Sequence, residues 1–392
     1  MISTLHNSIC TLRWRNATRI YRRVLSSSST STIEMTANTK TLAEAILAPL
    51  ESTPSSTSTT DTKQITKAMM KQRQALSKAI TLIESHSIKH MQQGDLLLNH
   101  VIQHQDASRK AFRVGIAGAP GAGKSSLIES LGKYILNEYD LELKMAVVCI
   151  DPSSSQTGGS ILGDKTRMME LSHHPRAFVR PSPSKGVLGG LSSYSNDVVS
   201  LCEAAGYDFI IVETVGLGQS EVDISQVVDM TILVVSPAGG DGLQGVKKGI
   251  LEVADIILVN KADGHLLQAA KMTKNEYKGA TCYFRSRMDE WPVPPVLLAS
   301  AETGDGLKEL WQEISKYKSI VLKNGFFQKK RTSQSRYWMW SHMQELLTRK
   351  IHSDEKIRET ATDLEKALEE GALAPRAAAT DLFNLISRSF KQ

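Results

Sequence analysis

The 392 residues contain no apolar stretch long enough to cross a bilayer, for which about 20 consecutive apolar residues are needed. No membrane insertion is expected. Cysteine is scarce: only Cys10, Cys149, Cys202 and Cys282 occur, with no C-x-x-C spacing and no histidine pairing near them that suggests a metal. A disulfide-stapled scaffold is thereby excluded, and buried inert thiols in a reducing compartment are expected. Acidic residues are missing from residues 1–33, which carry Arg13, Arg15, Arg19, Arg22 and Arg23. These arginines account for most of the formal charge of +6. The rest of the chain is close to neutral, which argues against a nucleic-acid partner. No repeat of solenoid length is present.

What is there divides into segments. Residues 1–35 are Arg-rich, Ser/Thr-rich and lack the continuous apolar core of a secretory signal, with Ile20, Tyr21, Val24 and Leu25 scattered among the arginines. This is the composition of a mitochondrial transit peptide, with a matrix address and cleavage expected in the serine-rich stretch after Arg23. Residues 36–62 are poor in large apolar groups and read as a Ser/Thr-rich linker. From 63 to 108 the apolar spacing becomes helical: Leu76, Ile80 and Ile83 share one face, and Leu97, Val101 and His104 another.

Residues 109–322 alternate short apolar runs with helical segments, the pattern of an α/β fold with a mostly parallel sheet. The expected strands are 112–117, 145–150, 208–212, 230–235, 255–259 and 295–299, with a short one at 177–179. Residues 323–392 turn helical again, through Tyr337-Trp338-Met339-Trp340 and Leu346-Leu347. Gly371 is placed to end one helix and Pro375 to open the next.

Chemistry enters at Gly118-Ala119-Pro120-Gly121-Ala122-Gly123-Lys124-Ser125, which fits G-x-x-x-x-G-K-[ST]. Its glycines let backbone N–H groups approach phosphates, Lys124 would reach the β- and γ-phosphates, and Ser125 would offer its hydroxyl to Mg²⁺. A buried strand enters the loop, and Ser126 begins the helical run that leaves it, whose N-terminus favours negative charge.

Asn260-Lys261-Ala262-Asp263 follows another apolar run and matches N-K-x-D. The Asp263 carboxylate can accept from the guanine ring N–H and exocyclic amine, a donor pair that adenine lacks. The Lys261 stem can pack on the base, and Asn260 can tie loops together. Together with the first motif, and with Ser300 and Ala301 ending a later strand, this marks a guanine-nucleotide binder.

Asp151, at the end of a strand, can hold a Mg²⁺-coordinated water. Glu213-Thr214-Val215-Gly216 ends another strand, where P-loop NTPases place their second acidic motif, and the Gly216 N–H could sense the γ-phosphate. Two glycine-rich polar segments, Gly158 to Met168 and Gly239 to Gly249, suit nucleotide-sensing loops as well as they suit passive surface loops.

Taken together, these strings resemble the MeaB/ArgK-like GTPases, the family of the methylmalonic aciduria type A protein, within the SIMIBI class of P-loop NTPases. The resemblance runs through Asp151-Pro-Ser-Ser, Gly158 to Met168, Arg180-Pro-Ser-Pro, Glu213 to Glu221, Gly245-Val-Lys-Lys-Gly249 and Asn260 to Gly264. It continues to Arg336-Tyr-Trp-Met-Trp340 and Leu373 to Ala379. His265-Leu266-Leu267 is less polar than that family's pattern.

The resemblance implies a GTPase chaperone that gates adenosylcobalamin loading of methylmalonyl-CoA mutase and protects the mutase. It implies Mg²⁺ and the attacking water ordered by Ser125 with one or more of Asp151, Asp164 and Glu213. It also implies partner-dependent activation through Lys247, and a carboxyl-terminal homodimerisation arm to which Trp338 and Trp340 would belong as exposed residues. The partner is the mutase alone or also the adenosyltransferase that makes its cofactor. No H-x-D-x-x-G string is present, so adenosylcobalamin is assigned to the partner. The rival readings are a P-loop kinase, a metallochaperone GTPase that inserts nickel or similar ions, and a G-domain scaffold without turnover.

Overall fold

The computed structural model describes residues 34–48, 59–85, 87–106, 109–140, 142–151, 168–183, 193–214, 223–237, 248–281 and 288–389. Among the described residues three helices come before the sheet, α1 (Ala37–Leu47), α2 (Thr59–Ile83) and α3 (Ile88–His104). The expectation of a linker over 36–62 is corrected for Ala37–Leu47, which form α1. Thr36 caps α1 by accepting from Thr39 N at 3.3 Å, and Leu42, Ala43 and Ile46 are buried. Gln72 of α2 donates to Ile46 O at 2.8 Å. Three apolar residues at helical spacing suffice because α2 and α3 cover them; the Ser/Thr-rich composition of the neighbouring residues hid this short stripe. Leu76, Ile80, Ile83, Leu97 and Val101 are buried, whereas His104 is exposed.

The α/β region runs β1 (Phe112–Ala117), α4 (Lys124–Tyr134), β2 (Met145–Asp151), α5 (Met169–His173), β3 (Ala177–Pro183), α6 (Ser193–Ala204) and β4 (Phe209–Glu213). It continues as β5 (Met230–Val235), α7 (Lys248–Val253), β6 (Ile256–Val259), α8 (Leu267–Thr281), β7 (Val296–Leu298) and α9 (Leu307–Lys323). A π-helical turn, Ile135–Tyr139, extends α4, and a 3₁₀ turn, Ile224–Gln226, precedes β5. All seven strands pair in parallel, in the order β3-β2-β4-β1-β5-β6-β7. The chain thus has the expected α/β architecture, a parallel sheet flanked by helices.

β1, β4, β5 and β6 are buried along their whole length, as in a parallel sheet covered on both faces. Side-chain alternation divides the core. Ala146, Val148 and Ile150 pack with α1–α3 and α6; Met145, Val147 and Cys149 pack with α4 and α9. A third cluster joins β5 and β6 to α7 and α8. Cys149 and Cys202 are buried and form no disulfide among the described residues, and burial pushes the Cys202 thiol up to about 12.

Three helices close the described residues: α10 (Phe326–Ser353), α11 (Glu355–Glu369) and α12 (Pro375–Ser389). Gly371, at φ 68°, follows α11, and Pro375 opens α12. The root of α10 is held at the amino ends of β1 and β5. Arg331 reaches Asp229 at 2.5 Å and Glu203 at 3.0 Å, while Arg113 reaches the same Glu203 at 2.6 Å. These side chains are almost wholly buried, so removing one partner would leave an uncompensated buried charge. Trp338 departs from the expectation of exposure: it is 5% exposed and packs within the chain, whereas Trp340, two residues on, is 56% exposed. A two-residue step on a helix turns the side chain by about 200°, which puts the two indoles on opposite faces.

Candidate nucleotide site

β1 lies between β4 and β5, so the loop it feeds emerges at the middle of the sheet's carboxyl edge, where open α/β sheets bind ligands. Gly118 leaves the strand at φ 148°, and a Cβ there would stand 2.1 Å from Val234 O. Gly123 caps α4 at φ 86°, where a Cβ would meet Asn260 Nδ2 at 2.5 Å. Gly121 is also left-handed but faces open space. Lys124, the first residue of α4, folds back over the loop. Its Nζ donates to Gly118 O at 2.8 Å and to Ala119 O at 3.2 Å. The first bond of the helix runs from Leu127 N to Gly123 O, so the N–H groups of Lys124, Ser125 and Ser126 precede the ladder. The first turn holds no acidic residue, and these N–H groups are suited to an anion.

Ser125 Oγ donates to Glu213 Oε1 at 2.7 Å. The sheet register produces this meeting, because Glu213 is level with Ile116 of β1 on one side and Cys149 of β2 on the other. Glu213 is only 7% exposed. A serine hydroxyl and a carboxylate, both hard oxygen donors beside the amino-terminus of α4, fit Mg²⁺. Asp151 ends β2 level with Pro183 of β3. Its side chain, and all of Asp164, Gly216 and Lys247, lie outside the described residues.

Asn260 ties the glycine-rich loop to the loop after β7. This side chain, 1% exposed, donates to Ala122 O at 3.0 Å and to Gly123 O at 3.3 Å, and accepts from Ala301 N at 3.2 Å. One amide therefore joins the phosphate loop, the end of β6 and the loop after β7. Lys261 follows at φ 58°, the one positive φ on a non-glycine residue among the described residues. Asp263 Oδ2 accepts from Ser300 Oγ, which in turn accepts from Glu302 N at 3.2 Å and Thr303 N at 3.1 Å. Ser300 is fully buried. The structure thus brings together Gly118, Gly121, Gly123, Lys124, Ser125, Ser126, Glu213, Asn260, Lys261, Asp263, Ser300 and Ala301.

Sequence reading missed three supports. Ser130 of α4 donates to Ala301 O at 2.5 Å. Thr214 N donates to Ile116 O at 3.1 Å. Gly306, at φ 77°, opens α9 where a Cβ would strike Leu298 O at 2.1 Å. Only Gly306 left a signal, the close pair Gly304 and Gly306 before a helical run.

Comparison with known proteins agrees with this geometry. The sequence model of one family, "Methylmalonyl Co-A mutase-associated GTPase MeaB", matches residues 76–356. The mouse methylmalonic aciduria type A homolog, a mitochondrial protein, is 40% identical over 327 residues, covering 82% of this chain and 77% of the mouse protein. GTPase ArgK of Escherichia coli is 39% identical over 319 residues, covering 81% and 94%. The crystal structure of a LAO/AO transport system kinase superposes with a TM-score of 0.63 at 30% identity, covering 91% of this chain and 100% of that one. A parallel sheet that converges a phosphate loop on an N-K-x-D motif, and a family match across most of the chain, lead to one conclusion: the chain belongs to the methylmalonyl-CoA mutase-associated MeaB family of GTPases.

Proposed function

We propose that this protein is a mitochondrial-matrix GTPase that serves methylmalonyl-CoA mutase as a chaperone, gating adenosylcobalamin loading and protecting the mutase. The observation that carries the reading is the Asn260 bridge, which supports a single site for base and phosphates. In this reading the α4 N-terminus and Lys124 hold the β- and γ-phosphates, Lys261 packs on the guanine, and Asp263, steadied by Ser300, reads its donors. Ser125 and Glu213, with Asp151 or Asp164, would hold Mg²⁺, which supplies positive charge at the phosphates when bound. Because phosphoryl transfer depends on positioned charge, a slow intrinsic rate can be raised greatly by groups that a partner orders. Lys247 is the residue assigned to that response, and Gly216 to sensing the γ-phosphate.

The carboxyl-terminal helices supply a homodimer surface in this reading. Tyr337, Met339, Trp340, Met343, Leu346 and Leu347 of α10 are all exposed, a longer apolar row than solvent-facing helices usually carry. The adenosyltransferase that makes the cofactor is a second candidate partner.

The test is GTP hydrolysis by the protein lacking residues 1–35, alone and with purified methylmalonyl-CoA mutase, with ATP as control. GTP-selective hydrolysis stimulated strongly by the mutase is the expected result. Hydrolysis indifferent to the mutase would overturn the chaperone assignment. The kinase name carried by one similar structure motivates a second reading, phosphorylation of a small molecule. Transfer of labelled phosphate to an acceptor other than water would establish it.

A further inference from the structure

Several helical hydroxyls of this protein turn back onto their own helix. Thr41 donates to Ala37 O, Ser200 to Asn196 O, Ser335 to Arg331 O and Thr360 to Lys356 O, each four residues earlier. That is the nearest acceptor for a serine or threonine inside a helix. Ser130 of α4 does otherwise. Its Oγ donates across 171 residues to Ala301 O at 2.5 Å. The receiving carbonyl lies in the loop between β7 and α9. Ser300 of this loop holds the Asp263 carboxylate, while Glu302, Thr303, Gly304 and Asp305 are exposed. The loop that steadies the base-reading residue thus faces solvent beyond Ala301, and its position depends on how Ala301 is held.

Ala301 is held on both sides. Its N–H donates to Asn260 Oδ1 at 3.2 Å and its carbonyl accepts from Ser130. The residue also packs against the core cluster that includes Leu127 and Leu131 of α4. Asn260 in turn donates to Gly123 O at 3.3 Å, at the cap of the same helix. Gly123 and Ser130 are seven residues apart, two helical turns, and so lie on one face of α4. Asn260 ties the loop to the start of that face, and Ser130 ties it two turns further on. Two ties about 10 Å apart along the axis hold an orientation, where a single tie would leave a pivot. We infer that Ser130 is a positioning residue for base recognition: it locks the loop after β7, and with it Asp263, to the helix whose first turn takes the phosphates. The inference rests on the guanine-nucleotide reading of the site and not on the mutase. Ser130 acts on how long a nucleotide stays and how strictly guanine is chosen. The pair Ser125 and Glu213 forms without it, so hydrolysis of GTP already bound is left alone.

The experiment compares three variants of the full chain without any partner. Ser130→Ala removes the donor and suits a helix; Ser130→Thr keeps the hydroxyl. Ser200→Ala is the control, since it removes a half-buried hydroxyl that bonds within α6. Thermal unfolding, release of a ribose-labelled fluorescent GDP, affinities for GDP, GTP and inosine diphosphate, and single-turnover GTP hydrolysis are measured for each. Ser130→Ala is expected to release GDP about fivefold faster and to lose GDP and GTP affinity by that same factor, the scale of one hydrogen bond. Its preference for GDP over inosine diphosphate, which lacks the exocyclic amine, is expected to shrink, because that preference depends on where Asp263 is held. A merely structural weakening would not move this ratio. Single-turnover hydrolysis is expected to stay at the wild-type rate. Ser130→Thr and Ser200→Ala are expected to match the wild type in release and selectivity, even if a Tm falls.

Wild-type GDP release and selectivity in folded Ser130→Ala would overturn the inference. So would equally fast release from Ser200→Ala, which would mark a general loosening, or from Ser130→Thr, which would make the effect one of packing. Should Ser130→Ala fail to fold, Ser130→Cys, which keeps the size and weakens the donor, decides in its place. A wild type that binds no guanine nucleotide overturns the nucleotide reading together with this one. A wild type that binds and hydrolyses GTP but ignores the mutase overturns only the chaperone assignment.

Discussion

Ser125 and Glu213, 88 residues apart, share a hydrogen bond of 2.7 Å between the first turn of α4 and the last residue of β4. A serine at this place in the phosphate loop and a carboxylate at a neighbouring strand end make one polar unit. Ser125→Ala and Glu213→Gln are each expected to raise the Mg²⁺ concentration needed for half-maximal GTP hydrolysis, by roughly tenfold or more, as loss of a charged or hydroxyl oxygen ligand does. A titration of activity against Mg²⁺ checks this. An unchanged midpoint in both variants would remove the pair from the metal site.

Asp263→Asn is expected to change base selectivity. The carboxamide keeps an oxygen for the Ser300 hydroxyl but presents a donor where guanine's own donors arrive. GTP affinity should fall by roughly 100-fold or more, since a site built for matched hydrogen bonds strongly rejects a mismatch. Xanthosine triphosphate, which carries a carbonyl in place of the exocyclic amine, should gain affinity. Equilibrium binding of the two nucleotides decides, and retention of GTP preference would refute the base-reading role.

The loop glycines should divide by what surrounds them. At Gly118 the backbone stands at φ 148° and a Cβ would meet Val234 O at 2.1 Å, whereas Gly121 at φ 79° has nothing within 4 Å. Gly118→Ala is expected to cost about 3 kcal/mol or more, combining backbone strain with a backbone clash. Gly121→Ala should cost about 1–2 kcal/mol, the left-handed penalty alone. Urea unfolding of both variants measures the difference, and equal costs would contradict the close approach to β5.

A pH effect is expected where α10 meets α3 and α6. His342 lies 3.7 Å from Asp197, and that carboxylate raises the imidazole above its ordinary value, opposed by partial burial; Glu345 and Asp95 add to the rise. Asp95 is itself raised, by burial first and then by Asp197, with His342 and Arg349 opposing. A raised histidine contributes stability that is present below its unfolded value and lost as pH rises through the folded one. His342→Gln should therefore destabilise at about pH 5.5 and do little at about pH 8.5, within roughly 1 kcal/mol because the ring is partly solvated. Asp95→Asn should stabilise at neutral pH and lose that effect in acid. Unfolding midpoints across this pH range test both signs.

Much of the site was legible because its chemistry is local. Gly118 to Ser125 and Asn260 to Asp263 are short strings whose spacing alone carries a backbone geometry. Each follows an apolar run, Phe112 to Ala117 and Ile256 to Val259, that forms a buried strand. α1 was not legible, because Leu42, Ala43 and Ile46 form a stripe too sparse to stand out until α2 and α3 cover it. Trp338 and Trp340 look alike in sequence, and only the rotation of α10 against Ile224–Gln226 separates a buried hydrogen-bonded indole from an exposed one. Gln334 was silent for the same reason: an amide in a polar helix gives no sign that both its hydrogens end on another element's carbonyls.

The sequence by itself determined the class of fold, the chemistry of the phosphate loop and the choice of base, since each depends on residue type at short spacing. Tertiary structure alone decided which strands are neighbours. In the order β3-β2-β4-β1-β5-β6-β7, β1 and β4 lie side by side although β2 and β3 intervene in the chain. That crossover sets Glu213 against Ser125, and the one beyond β5 sets Asn260 against Gly123, 137 residues away. The physical reason is that parallel strands are joined by long covered connections. Their pairing follows from how the two helical layers bury the sheet, and no local run of residues encodes it.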